Sequence, residues 1–279
     1  MQTITLGFSS CPNDTFIFDA MIHHKIDTEG IEFECIIEDV EQLNRRAFEQ
    51  QLDVTKISFN AFTHLVDHYV LLDSGAALGE NCGPLVIAKK PLSMHQLEGK
   101  TIAIPGKNTT ANLLLSLAFP QLQNKKEMLF SDIEQAVLKG EVDAGLIIHE
   151  SRFTYAQKGL QKIMDLGEHW ENTTASPTPL GGIIAHRKLN KELIEKINRV
   201  LHRSVAFAFA NPKSGLEFIR QHSQEMSEEV MYQHIALYVN HYSLLLGAEG
   251  RKAIELLFET SIRAGFIAKP QLPLFVDAL

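Results

Sequence analysis

Three short stretches of this chain bring together side chains that can do chemistry. The first, Cys11-Pro12-Asn13-Asp14-Thr15, offers a thiol, an amide, a carboxylate and a hydroxyl, more polar groups than a plain turn needs. Asn13 or Asp14 alone would cap a helix behind Pro12. The surplus makes Asn13 and Asp14 candidate ligand-binding residues. The second stretch is Gly106-Lys107-Asn108-Thr109-Thr110. A glycine loop that opens a helix presents free N–H groups at the positive end of the helix dipole. With the hydroxyls of Thr109 and Thr110 beside them, such groups suit a carboxylate or a phosphate. A plain N-cap by Asn108 or Thr109 is the competing account, and the Gly-Lys-Ser/Thr ending of a P-loop is absent. The third stretch is His149-Glu150, which follows an apolar run over 144–148. A neutral imidazole where a strand emerges can take a proton near pH 7; a structural hydrogen bond is the alternative.

Other candidates are weaker. His64 and His68 have the i, i+4 spacing of a metal pair, but the glutamate of a zincin helix is missing and a solvated face explains them. His23, His24, His202, His222, His234 and His241 share no pattern. No Gly-x-Ser-x-Gly or Gly-x-Gly-x-x-Gly occurs, which removes the usual hydrolase and dinucleotide signals. No metal site is expected. Cys11 has no neighbour in sequence that would lower its pKa, so packing ranks above a nucleophilic role.

Each stretch needs an element to hold it. Residues 3–8 alternate as a strand, and a helix from about Thr15 buries Phe16, Ile17, Ala20 and Met21. A strand over 31–37, a helix over 38–51 starting near Asp39, a strand over 53–58 and a helical 60–68 follow. Residues 86–88 read as a short crossing strand. The pattern then begins again, with a strand over 100–104, a loop over 105–108 and a helix over 109–119. Ser131 is placed to cap a helix to Lys139, ahead of the strand at 144–148. After the proline-rich 176–179, "LGGIIAHRKL" offers a second crossing strand. From about Asn190 the chain reads as helical to Phe266, with an acidic start at 227–229 and a stop at Gly247. This alternation predicts an α/β protein with largely parallel sheets.

Two segments echo one another: "RAFEQQLDVTKIS" and "QAVLKGEVDAGLII" both run from a helix through an aspartate into an apolar strand. The first leads to Ser58 and Asn60, the second to His149. Open α/β sheets place ligands at such carboxyl ends, so Ser58 and Asn60 join the candidates. A chain that leaves one lobe near Ala88 and returns near Ile183 forms a clamshell. Residues 1–88 and 184–279 would make a discontinuous lobe, and 89–183 an inserted one.

Bulk properties fit this reading. The hydrophobic and charged fractions, 45% and 22%, are those of a soluble globular protein. A net charge of -8 argues against a nucleic-acid or anionic-membrane surface. No apolar run reaches the ~20 residues of a membrane helix. With no leader-like pattern and an odd set of three cysteines, the expected compartment is the reducing cytoplasm.

Taken together, "SSCPNDTFIFDAMI", "ISFNAF", "GKNTTANLLL", "VDAGLIIHE" and "PTPLGGI" resemble the 1,4-dihydroxy-6-naphthoate synthase family of the futalosine route to menaquinone. The resemblance extends over nearly the whole chain, and the Cys-Pro-Asn-Asp-Thr-Phe turn is its most specific element. It implies a type II periplasmic-binding-protein-like clamshell with a C-terminal helical segment. It also implies a cytoplasmic lyase that converts cyclic dehypoxanthinyl futalosine into 1,4-dihydroxy-6-naphthoate without a metal or an organic cofactor. The family's catalytic histidine falls on His149. Asn13 and Asp14 would orient the hydroxyl-rich part of the substrate, and Ser58, Asn60, Thr109 and Thr110 its other polar groups, the carboxylate included. Two alternatives are chorismate dehydratase of the same pathway and a non-catalytic solute-binding protein. The Cys-Pro-Asn-Asp turn and the Ile-His-Glu sequence argue against the first, and the missing leader pattern against the second. Oligomeric state is not readable from the sequence.

Overall fold

The structure, a computed structural model, describes residues 2–223 and 227–279. Met1 and 224–226, which the helical reading of 190–266 spans, lie outside the described residues. In chain order the first elements are β1 (Gln2–Phe8), α1 (Pro12–Ile22), β2 (Ile31–Ile37), α2 (Val40–Phe48), β3 (Val54–Ser58), α3 (Phe59–Thr63), β4 (Tyr69–Leu71) and β5 (Ala77–Gly79). Next come β6 (Leu85–Ala88), β7 (Ile102–Ile104), α4 (Thr110–Ala118), β8 (Lys125–Glu127), α5 (Ile133–Lys139), β9 (Ala144–Ile147), α6 (Ser151–Thr154), β10 (Gln161–Asp165) and α7 (Leu166–Thr174). The chain closes with β11 (Thr178–His186), α8 (Lys191–Ala210), α9 (Leu216–His222), α10 (Glu228–Tyr238), α11 (His241–Leu244) and α12 (Gly247–Arg263).

Two sheets result. The first has the order β2-β1-β3-β11-β4, with β5 also on β11; the second has the order β10-β6-β9-β7-β8. In each, three strands pair in parallel (β2-β1-β3 and β8-β7-β9), and one strand, β11 or β6, runs against all the others. Both of these strands enter just after the chain has come across from the other sheet. No βαβ crossover is then needed, and the antiparallel direction is open to them.

The echoed segments prove to be equivalent pieces, α2–β3 and α5–β9, each ending in the strand beside the antiparallel one. Their aspartates do the same work. Asp53 accepts from Thr5 N (3.0 Å) and Thr5 Oγ1 (2.9 Å), while Asp143 accepts from Thr101 N (2.9 Å). Each ties its strand to the neighbouring parallel strand or the residue just before it.

Several boundaries differ from the sequence reading. Helix α1 starts at Pro12, because proline's fixed φ and missing N–H suit the first helical position. The Cys-Pro-Asn-Asp stretch is therefore a helix start rather than a separate turn. Helix α3 ends at Thr63, so His64 and His68 do not share a helix; both are exposed. Ser131 lies in a 3-10 turn ahead of α5 and does not cap it, and Gly247 opens α12 instead of ending a helix. Strand β6 belongs wholly to the second sheet and β11 wholly to the first. We propose that the lobes meet in the passages 80–84 and 175–177, in place of divisions at 88 and 184.

The long helix α8 fixes the first chemical stretch. Its buried face (Leu193, Ile197, Val200, Leu201, Val205) packs in the same core as Phe16, Ile17 and Met21 of α1. Ser204 Oγ donates to Ile17 O (2.6 Å) and accepts from Met21 N (3.2 Å). A second core runs from Phe59 and Phe62 in one lobe to Ile104 and Leu114 in the other, so the lobes share apolar packing.

Gly83 and Gly167 meet backbone to backbone beside one passage: a Cβ on either would fall inside the other's main chain. Gly167→Ala should therefore force the start of α7 away from the passage at Gly83. Overpacking of this kind costs about 1–3 kcal/mol, which a urea midpoint will register. An unchanged midpoint would mean that the passage yields freely.

Candidate active site

Between the sheets lies a cavity of about 660 Å³, its mouth included. Of the sequence candidates, Asn13, Asp14, Ser58, Thr109, Thr110 and His149 line it; Asn60 does not.

The start of α1 supplies one wall. Asp14 is almost fully buried, and its carboxylate is saturated by Ser9 N (3.1 Å), Ser9 Oγ (2.7 Å) and Asn13 Nδ2 (2.8 Å). Neither Asn13 nor Asp14 caps the helix. Beside it, Lys56 of β3 reaches Asp14 Oδ1 at 3.2 Å and donates to Gly75 O at 2.9 Å. This is a buried ion pair. Two residues on, Ser58 Oγ accepts from Asn44 Nδ2 (3.2 Å), which leaves its proton to point elsewhere.

The glycine loop approaches from the second lobe. Gly106 has φ +149, and a side chain there would collide with Glu41 of α2. Thr109 is the N-cap of α4: its Oγ1 accepts from Asn112 N (3.3 Å) and donates to Gly106 O (2.8 Å). Thr110 Oγ1 donates to Leu180 O (2.5 Å) and accepts from Asn60 N (3.2 Å). Both hydroxyls thus have partners within the protein. The groups left for an anion are the first-turn N–H groups of Thr110 and Ala111, for which a helix has no internal carbonyl; both residues line the cavity. Asn60 spends its side-chain amide on Lys107 O (3.1 Å) and Thr109 O (3.2 Å). Asn60 is a strap between lobes rather than a wall of the cavity.

His149 sits two residues beyond the end of β9, with φ +59. The left-handed conformation is uncommon for a residue other than glycine, and such strain concentrates at functional sites. Because the strand has ended, alternation of strand faces does not separate His149 from Glu150; the cavity does, since His149 lines it and Glu150 does not. Nδ1 lies 3.2 Å from Cys11 Sγ, and the Phe130 ring packs edge-on at 4.8 Å. The residue as a whole is partly exposed, but Nε2 is shielded from solvent and has no hydrogen-bond partner among the described residues. Burial holds its pKa down to about 4, with Asp14 pulling upward and Lys56 pushing further down. The ring is neutral at pH 7. Burial pushes the Cys11 thiol well up, so it is no nucleophile at rest.

One group among the described residues has the spacing to hold a metal ion: Cys11, His149 and Glu150, with ligand atoms within 4.8 Å of one another. The thiol would first have to lose its proton, against the direction in which burial drives it.

Among the other lining residues, Lys56 and Tyr238 escaped the sequence reading and His234 was set aside by it. Lys56 left a trace, a charge inside the buried run Val54–Ser58, where an unpaired ammonium would be prohibitive. His234 and Tyr238 left none, because α10 reaches the cavity only through tertiary packing.

A profile of the family described as menaquinone biosynthesis matches residues 4–262. The chain belongs to the menaquinone biosynthesis family. A 1,4-dihydroxy-6-naphthoate synthase of Thermus thermophilus is 47% identical over 276 residues, spanning 99% of this chain and 100% of the relative. A synthase of the same name from Streptomyces coelicolor is 38% identical over 95% of each chain. Among solved structures, protein AF1704 of Archaeoglobus fulgidus superimposes with a TM-score of 0.90 at 40% identity, covering 95% of this chain and 98% of its own. The Candida albicans CA3427 product, described as having the generic periplasmic binding protein fold, gives 0.70 at 13% identity over 97% and 92%. That likeness speaks for the two-lobed fold alone.

For this member of the menaquinone biosynthesis family, the ion pair makes a sharp expectation. Lys56→Met leaves Asp14 charged and buried, a loss of about 3–5 kcal/mol. Adding Asp14→Asn to it should recover much of that stability. A double variant no more stable than Lys56→Met, by chemical denaturation, would show that the two groups are uncoupled.

Proposed function

We propose that the cleft converts cyclic dehypoxanthinyl futalosine into 1,4-dihydroxy-6-naphthoate, with His149 as the general base. Family membership and two nearly full-length synthase relatives make the chain a lyase of menaquinone biosynthesis. The observation that carries the residue assignment is His149 itself: a neutral imidazole in the left-handed backbone region that lines the cavity, its Nε2 shielded from solvent and without a hydrogen-bond partner among the described residues.

For Nε2 to accept a proton, Nδ1 must carry the ring hydrogen. Cys11 Sγ at 3.2 Å is the acceptor that holds this tautomer. His149 then removes a proton from the sugar-derived part of the substrate, a carbon–carbon bond breaks, and charge builds on oxygen. Lys56, Ser58 and the N–H groups at the start of α4 are the donors that meet the substrate's carboxylate and hydroxyls. Asn13 and Asp14 hold that wall in place, and Thr109, Thr110 and Asn60 hold the loop against the other lobe. The reaction so drawn calls for no metal and no organic cofactor.

We place it in the cytoplasm, where Cys11, Cys35 and Cys82, all unbridged, stay reduced. Among the described residues no helix is long and apolar enough to cross a membrane.

His149→Asn tests the assignment cleanly, because asparagine tolerates the left-handed backbone. Turnover of cyclic dehypoxanthinyl futalosine should fall ~100-fold or more with the fold intact by circular dichroism. Near-normal turnover, with Glu150→Gln inactive, would move the role to Glu150.

The pH profile is a second check. Only the neutral ring accepts a proton, and its pKa stands near 4. kcat/KM, which reports the free enzyme, should hold from neutrality down to about pH 5 and fall through about pH 4. An acid limb of kcat/KM near pH 6.5 would mean that the ring is not desolvated in the free enzyme.

A further inference from the structure

Opposite His149 stands a second histidine that the reaction drawn above does not use. His234, on α10, is fully buried, lines the cavity, and has no hydrogen-bond partner on either ring nitrogen among the described residues. Its ring lies 4.6 Å from that of Tyr238, one helical turn on, and 6.5 Å from Phe153. Buried polar atoms in folded proteins are nearly always paired. Two orphaned nitrogens on one ring, at the wall of a ligand cavity, therefore point to a partner that arrives with the ligand.

The geometry limits what that partner is. The centroids of His149 and His234 are 6.2 Å apart, with ring planes 37° from parallel. Hydrogen bonds of about 2.9 Å to each ring let one oxygen sit between them. Burial and the neighbouring His149 both keep His234 neutral. It therefore offers one N–H donor and one lone pair, and no positive charge.

We propose that His234 is a second substrate-contacting residue, whose ring N–H donates to the substrate oxygen that becomes negative as His149 takes the proton. This rests on the functional reading above. The pair divides the work between a ring that accepts a proton and one that steadies the charge left behind, with donors aimed at where charge develops. Seated in the cavity wall, His234 is held by packing rather than by polar ties, so the ring is already in place when the substrate enters.

The test compares wild type, His234→Phe and His234→Gln by thermal unfolding and by steady-state turnover of cyclic dehypoxanthinyl futalosine. His234→Phe removes a buried polar ring that has no partner, so its Tm should match or exceed that of wild type. Its kcat should fall about 10²–10³-fold, the scale for one lost oxyanion donor, with KM much less affected. Glutamine restores an N–H donor and should recover at least about tenfold of that loss. A Phe variant with wild-type kcat, or one in which KM rises and kcat holds, overturns the proposal. A Phe variant that loses Tm together with kcat, unrescued by glutamine, assigns His234 a structural role and also overturns it. Wild-type protein that fails to turn the substrate over overturns the functional reading itself, which separates the two failures.

Discussion

An ammonium buried on a central strand must have its counter-charge within reach, and the site is built around that constraint. Lys56 lies in the middle of β3, among residues with almost no exposure, and its partner is Asp14 at 3.2 Å. To bring Asp14 there, α1 has to begin at Pro12, directly after the turn that follows β1. The same placement sets Cys11 at the N-cap, where its sulfur meets His149 from the other lobe. A buried ion pair adds little net stability, because desolvation offsets most of the attraction. Its effect is on specificity: another register of α1 against β3 would strand two charges.

The second constraint is the joining of the lobes. Asn60 bonds two carbonyls of the glycine loop, Thr110 bonds Leu180, and Glu41 Oε1 accepts from Asn108 Nδ2 at 2.8 Å. Arg45 reaches Glu127 at 3.2 Å nearby. Each of these ties crosses from the first sheet's lobe to the second's, and all sit at the rim or the loop rather than at His149. Polar groups at the rim can exchange for water at small cost when the lobes part, since hydrogen bonds to water replace them. His149 itself is met from the first lobe by Cys11, so that contact too requires the lobes to be together.

Much of this was legible in the sequence. The helix–aspartate–strand echo announced two equivalent sheets, and Asp53 and Asp143 turned out to play matching roles. The candidates at Asn13, Asp14, Ser58, Thr109, Thr110 and His149 converge on one cavity because each follows the carboxyl end of a strand, a rule of topology rather than of any one residue. What stayed hidden depends on tertiary contact. The hydroxyls of Thr109 and Thr110 read as ligand donors until the acceptors at Gly106 and Leu180 came into view. Asn60 read as a binding residue because nothing local says that its amide is spent on a loop fifty residues away. The one reversed strand of each sheet stayed hidden for a like reason: alternation of elements does not reveal which strand has arrived from the other lobe. Strands of three residues, as in β4, β5 and β8, carry too little periodicity to be seen at all.

For the base proposed above, a pKa near 4 is poorly matched to proton abstraction at neutral pH, where catalytic bases work best close to 7. The charges around His149 suggest how the mismatch closes. Desolvation is the largest influence on the ring, and Lys56 adds to it, while Asp14 opposes both. A substrate carboxylate drawn to Lys56 and to the N–H groups of Thr110 and Ala111 would neutralise the opposing cation and add a negative charge to the same dry cavity. Both changes favour the imidazolium. The free enzyme then keeps a weak, neutral base that does not trap protons from water, and the acidic substrate raises its proton affinity on arrival. After the product leaves, the loss of that charge lowers the affinity again and returns the ring to its neutral state.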